Sequence, residues 1–167
     1  YNLLKNLGYN PVFLTRGYGG LKKGPLEVNN SHHFKDVGDE SILLSKVGTT
    51  IVSKNRSLGA KYIEKHKDKF NIIIMDDGLQ NYQLKQDIKF LLVDKKLKLG
   101  NGYCLPAGPL RQPVERGLKY IDKIIAPCLC TGISQEFITK NKIDLVIHAD
   151  DYSPEMLEKY YSCLLYT

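Results

Sequence analysis

Asn71-Ile72-Ile73-Ile74-Met75-Asp76-Asp77-Gly78 is the stretch whose reading decides the fold. β-Branched side chains favour extended backbone. A run with no polar alternation fits a strand covered on both faces, as in a parallel sheet. The run stops at two carboxylates and a glycine. In parallel α/β sheets functional groups gather just beyond the carboxyl ends of the strands. Asp76 and Asp77 therefore stand where a carboxylate can hold Mg²⁺ directly or through water. They can equally do no more than open the turn before Gly78, and both readings stand on this stretch alone.

Working outward, residues 89–94 (KFLLVD) form a second apolar run of the same kind, and residues 11–15 (PVFLT) a short apolar run that ends in the glycine-rich turn of residues 16–20. Residues 50–53, 122–126 and 144–147 are weaker strand candidates. Between them lie helical patterns. Leu3, Leu4 and Leu7 before Gly8 read as the last turns of a helix with a glycine stop. Asp39 and Glu40 open a short helix carrying Ile42, Leu43, Leu44 and Val47, and residues 57–69 form a basic amphipathic helix. Residues 21–37 show no periodicity and read as a long surface loop that holds His32 and His33. Strands alternating with helices predict α/β architecture, a mostly parallel sheet flanked by helices.

The composition agrees with a folded domain: 167 residues, 43% hydrophobic and 25% charged. A formal net charge of +6 favours anionic partners. No aromatic-plus-basic motif accompanies it, so nucleic acid is not expected as a partner. Cys104, Cys128, Cys130 and Cys163 form no C-x-x-C pair and no zinc spacing, which fits a reducing compartment. No apolar run approaches the roughly 18 residues of a membrane span.

Three further clusters carry chemistry. Arg16-Gly17-Tyr18-Gly19-Gly20 joins a cation suited to phosphate oxygens with a backbone able to approach a ligand closely. Val37-Gly38-Asp39-Glu40 places two acids at a helix start. There a carboxylate can take the proton of a hydroxyl nucleophile or merely cap the helix. Leu105-Pro106-Ala107-Gly108-Pro109-Leu110-Arg111-Gln112-Pro113 is a proline-stiffened loop that would hold Arg111 in place or simply turn a corner.

The order R-G-Y-G-G, V-G-D-E, D-D-G-L-Q, G-N-G, L-P-A-G-P-L-R resembles the tetraacyldisaccharide 4'-kinase (lipid A 4'-kinase) family, clearly over residues 3–116. The resemblance implies a P-loop-NTPase-like fold and transfer of the γ-phosphate of ATP to the 4'-hydroxyl of tetraacyldisaccharide 1-phosphate, giving lipid IVA. It implies Mg²⁺ as cofactor and peripheral residence on the cytoplasmic face of the bacterial inner membrane. It implies Asp39 as catalytic base with Glu40 beside it, and Asp76 and Asp77 as the metal acids. Arg16, Gln80 and Arg111 follow as phosphate or substrate contacts.

The chain departs from the family in several places. No G-x-x-x-x-G-K-[ST] string occurs, so the expectation is a fold incomplete at the N-terminus. Residues 1–126 would be a truncated kinase core and residues 127–167 a partial C-terminal region. The isolated chain is expected to be inactive. Asn81 stands where the family has histidine and Gln112 where it has glutamate. Asp151 stands where a late histidine is expected, with His148 as a substitute. A non-catalytic module with affinity for anionic lipid or acyl-disaccharide is the alternative.

Overall fold

The computed structural model describes residues 1–92, 99–126 and 146–148. The chain divides into two units, Tyr1–Lys85 and Gln86–Thr167. The expected boundary at residue 126 borders residues outside the described ones, and Cys128, Cys130, Asp151 and Cys163 lie outside them.

The first unit is built on strand β1, Pro11–Thr15, every residue of which is buried. It lies between β3 (Thr50–Val52) and β4 (Ile72–Met75), parallel to both, while β2 (Leu26–Glu27) pairs antiparallel with β3. Alternation along the strands sorts their side chains to two faces. On one face Val12, Leu14 and Ile51 pack with Ile63 of helix α4 (Arg56–Glu64). A second cluster joins Val52 and Val28 to Val37 of α2 (Phe34–Val37), with Ile42 of α3 (Asp39–Ser45) against it. Ahead of β1, helix α1 (Asn2–Asn6) ends at Leu7, Gly8 takes φ 85°, and Tyr1 stacks on Phe13 with ring centroids 5.0 Å apart.

Two expectations need correction here. Residues 21–37 are not one unstructured loop. They contain β2 and α2, the latter started by His33, whose ring accepts a hydrogen bond from the Lys35 amide while Asp36 accepts one from the His33 amide. Elements of two and four residues are too short to leave a periodic trace in sequence. And β4, read as covered on both faces, is only half-buried, with Ile73 40% exposed. It is an edge strand of its four-stranded sheet; the strand buried throughout is β1.

In the second unit, β5 (Phe90–Leu92), β6 (Lys123–Ala126) and β7 (Val146–His148) form a parallel sheet in that order. Ile124 of the central strand is buried, whereas Phe90 and Leu92 of β5 are exposed, against the expectation of a strand covered on both faces. Edge position again separates apolar sequence from burial. Residues 99–113 lead into helix α5 (Val114–Leu118). His148 is the last residue of β7.

Candidate active site

At the carboxyl ends of β1 and β4 the chain leaves the sheet through two turns lying side by side. After β1 comes Arg16, exposed, and then Gly17 with φ 64°. A side chain on Gly17 would meet the Val37 carbonyl oxygen at 2.7 Å and a Val52 methyl at 2.6 Å. Gly38, with φ 88°, faces the same loop, for a Cβ there would lie 2.3 Å from the Tyr18 carbonyl oxygen. Glycine at both positions lets main chain touch main chain. The Leu21 and Lys22 amides complete the seam, donating to the carbonyls of Lys35 and Asp36 at 2.9 and 2.8 Å.

That seam sets the start of α3. Asp39 and Glu40 follow Gly38 directly, both exposed, at a helix end where backbone dipoles favour negative charge. One carboxylate oxygen of Asp39 accepts from the Glu40 amide at 3.0 Å. Directly after Glu40, the Ser41 hydroxyl is fully buried and has no hydrogen-bond partner.

After β4, Asp76 is half-buried and Asp77 exposed. Asp76 Oδ2 accepts from the Thr15 hydroxyl at 3.3 Å, which ties the end of β4 to the end of β1; the Gly17 amide donates to the same Thr15 oxygen at 3.5 Å. Asp77 takes φ 46°, the left-handed region that non-glycine residues seldom enter and that aspartate tolerates better than most. Gln80 is half-buried in the turn that follows. The Asn81 side chain accepts from the Gln83 amide at 3.0 Å and so braces this turn.

Arg56 lies beneath the acidic pair. Asn55 caps α4 by accepting from the Leu58 amide at 3.2 Å, which puts Arg56 at the first helical position. Arg56 is 4% exposed. Its Nη1 donates to the Asp77 carbonyl at 2.8 Å and its Nη2 to the Asp76 carbonyl, while its Nε is buried without a partner. Burial lowers the pKa of the guanidinium. Asp77 and Asp76 oppose that shift, and the positive charge of Arg16 adds to it. The chain thus brings Arg16, Asp39–Glu40 and Asp76–Asp77 to one end of one sheet, with Thr15 and Arg56 between them.

Sequence reasoning missed Thr15 and Arg56. A signal for the second was present: asparagine followed by arginine, just past a parallel strand and at the start of a helix, in the zone where such sheets keep their functional groups.

Arg111 belongs to the second unit. It is exposed, on a loop closed by backbone bonds from Leu105 to Leu110 (2.9 Å) and from Gly108 to Cys104 (3.0 Å). The Asn101 amide donates to the Ala107 carbonyl at 2.8 Å. The proline-rich segment is thus a loop closed on itself by backbone bonds.

The donor set suits Mg²⁺. Two adjacent carboxylates at a strand end match an ion that takes one or two protein carboxylates and completes its shell with water and phosphate oxygens. Among the described residues no group of three or more His, Cys, Asp or Glu side chains could hold a metal alone. No helix among them is long and apolar enough to cross a membrane.

Comparison with known proteins bears on this geometry. Residues 1–157 match the family model described as tetraacyldisaccharide-1-P 4'-kinase. The tetraacyldisaccharide 4'-kinase of Methylobacterium nodulans is 41% identical over 124 residues, 74% of this chain and 36% of the relative. That of Francisella philomiragia is 44% identical over 124 residues, 71% of this chain and 38% of the relative. Among solved structures, LpxK from Aquifex aeolicus in complex with ATP superposes with a TM-score of 0.62 at 30% identity, covering 75% of this chain and 40% of that one. The chain therefore spans a little over a third of the length of these curated relatives.

Proposed function

Because the chain belongs to the tetraacyldisaccharide 4'-kinase family, we propose that it supplies the base, metal and arginine groups of a lipid A 4'-kinase. That enzyme would phosphorylate the 4'-hydroxyl of tetraacyldisaccharide 1-phosphate with ATP, giving lipid IVA. The observation that carries this reading is the gathering of Arg16, Asp39–Glu40 and Asp76–Asp77 at the carboxyl ends of neighbouring parallel strands.

Phosphoryl transfer asks a protein mainly to position groups and neutralise charge. Asp39 takes the proton from the 4'-hydroxyl as its oxygen bonds to the γ-phosphorus and the bond from that phosphorus to the ADP oxygen breaks. Glu40 adds negative charge beside it. Asp76 and Asp77 are the residues that would hold Mg²⁺; when bound, the ion neutralises charge on the phosphate oxygens. Arg16 and Arg111 offer paired donors to phosphate, and Gln80 a hydrogen-bonding amide. The 167 residues hold no P-loop string, so no residue of this chain is assigned the cradle for the β- and γ-phosphates. Residues 1–126 are assigned to the kinase core and 127–167 to part of a C-terminal region. The enzyme works peripherally at the cytoplasmic face of the inner membrane.

A chimera tests the proposal. The matching 124-residue segment of the Methylobacterium nodulans relative is replaced by that of this chain. ATP- and Mg²⁺-dependent phosphorylation of tetraacyldisaccharide 1-phosphate is expected, and a folded chimera without turnover overturns the catalytic reading. Exposed Tyr18, Leu21 and Phe34, set among exposed Lys22, Lys23 and Lys35, favour a second reading in that event: a module that binds anionic lipid without turnover. Salt-sensitive binding to anionic vesicles would support it.

A further inference from the structure

We propose that Arg56 is a positioning residue for the Asp76–Asp77 pair, fixing through the backbone where the two carboxylates stand; this rests on the metal-binding reading of that pair. Three observations combine. First, the guanidinium donates to two successive carbonyls, those of Asp76 and Asp77, from a residue twenty positions earlier in the chain. A planar fork can meet both at once, whereas an ammonium group acts as a single compact charge.

Second, the residue it grips is held in a conformation it would not otherwise favour. Asp77 sits at φ 46°, a region where a residue other than glycine persists only when its surroundings enforce it. β4 is an edge strand, so the chain leaving it is held on one side only by strand pairing. Arg56 and the Thr15–Asp76 bond tie the exit to neighbouring elements.

Third, the arrangement is costly to maintain. Arg56 is almost fully buried, and its Nε finds no partner. A buried polar group without a hydrogen bond is destabilising. The fork is also aimed at carbonyls rather than at the carboxylates.

The test uses the 167-residue chain and two measurements on wild type, Asp76→Asn, Arg56→Lys and Arg56→Met. The first is Mn²⁺ affinity, with Mn²⁺ as the probe for Mg²⁺. Arg56→Met removes a positive charge beside two carboxylates, and Coulomb attraction alone would then tighten binding. A positioning role predicts the opposite sign: at least tenfold weaker binding in both Arg56 variants, with far-UV circular dichroism unchanged. Equal or tighter binding in folded Arg56→Met overturns the proposal. If Arg56→Met does not fold, Arg56→Lys decides, because it keeps the charge and loses the fork.

The second measurement is amide hydrogen exchange over residues 77–81, which needs no metal. Exchange at least tenfold faster in Arg56→Lys is expected, and unchanged exchange overturns the clamp. If wild type and Asp76→Asn show the same Mn²⁺ affinity, the metal reading of the pair fails. The exchange result then still decides whether Arg56 holds the turn.

Discussion

β1 and β4 are adjacent parallel strands of similar apolar character, yet the structure treats them differently. β1 is flanked on both edges and buried throughout; β4 has one sheet neighbour among the described residues and is half-buried. Their exit turns differ in the same sense. The turn after β1 is set by close backbone packing at Gly17 and Gly38, and the turn after β4 by side chains reaching in from elsewhere. A central strand can therefore present a loop by shape alone, whereas an edge strand needs a tether. The two halves of the candidate site should accordingly fail by different routes.

The largest expected contrast lies in the strands. Leu14→Ala removes a fully buried side chain beneath α4 and should cost about 2–5 kcal/mol. Ile73→Ala, at a position already 40% exposed, should cost roughly 1 kcal/mol or less. Chemical denaturation of the two variants measures this directly. Equal losses would mean that β4 is as enclosed as β1 and would remove the basis of the comparison.

Next come the turns. Gly38→Ala places a methyl against the Tyr18 carbonyl and requires φ 88° of a residue with a Cβ. A loss of about 1–3 kcal/mol is expected. The start of α3 should shift with it, so Asp39 should lose its position even in a folded variant. Gly19→Ala is the control, since its Cβ would enter open space and only the positive φ penalises it. If the two substitutions cost the same, backbone conformation alone matters and the seam does not.

The smallest effect concerns α2, which backs the first turn. The Asp36 carboxyl is held below its ordinary pKa, chiefly by the hydrogen bond from the His33 amide. A carboxylate with a depressed folded pKa contributes stability above its unfolded value, near 4, and loses it as pH falls through the folded one. Acidification below about pH 4 should therefore loosen residues 33–38, and Asp36→Asn should remove that pH dependence. Amide exchange at Val37 against pH checks both.

The strand over residues 72–75 was legible in sequence because an unbroken β-branched run fits a strand of a parallel sheet. Strand burial was not legible, since Ile73 and Leu14 look alike until sheet order is known. Arg16, Asp76 and Asp77 could be singled out as candidates because they stand next to apolar runs, and Asp39 and Glu40 because they open a helix. Thr15 and Arg56 could not, because their roles depend on which elements fold against each other: Thr15 on the pairing of β1 with β4, and Arg56 on α4 meeting the end of β4. The bracing bond from the Gln83 amide to Asn81 was not legible either, since it depends on how the turn after β4 closes.

The most direct test of the whole account is turnover of the chimeric kinase with Asp39→Asn and, separately, Asp76→Asn. Loss of the base should lower kcat by about 10²–10⁴ with KM little changed. Loss of the metal acid should lower turnover and raise the Mg²⁺ concentration needed for it. If both variants turn over tetraacyldisaccharide 1-phosphate at the unsubstituted rate, these acids are turn-formers only, and the assignment of the site is wrong.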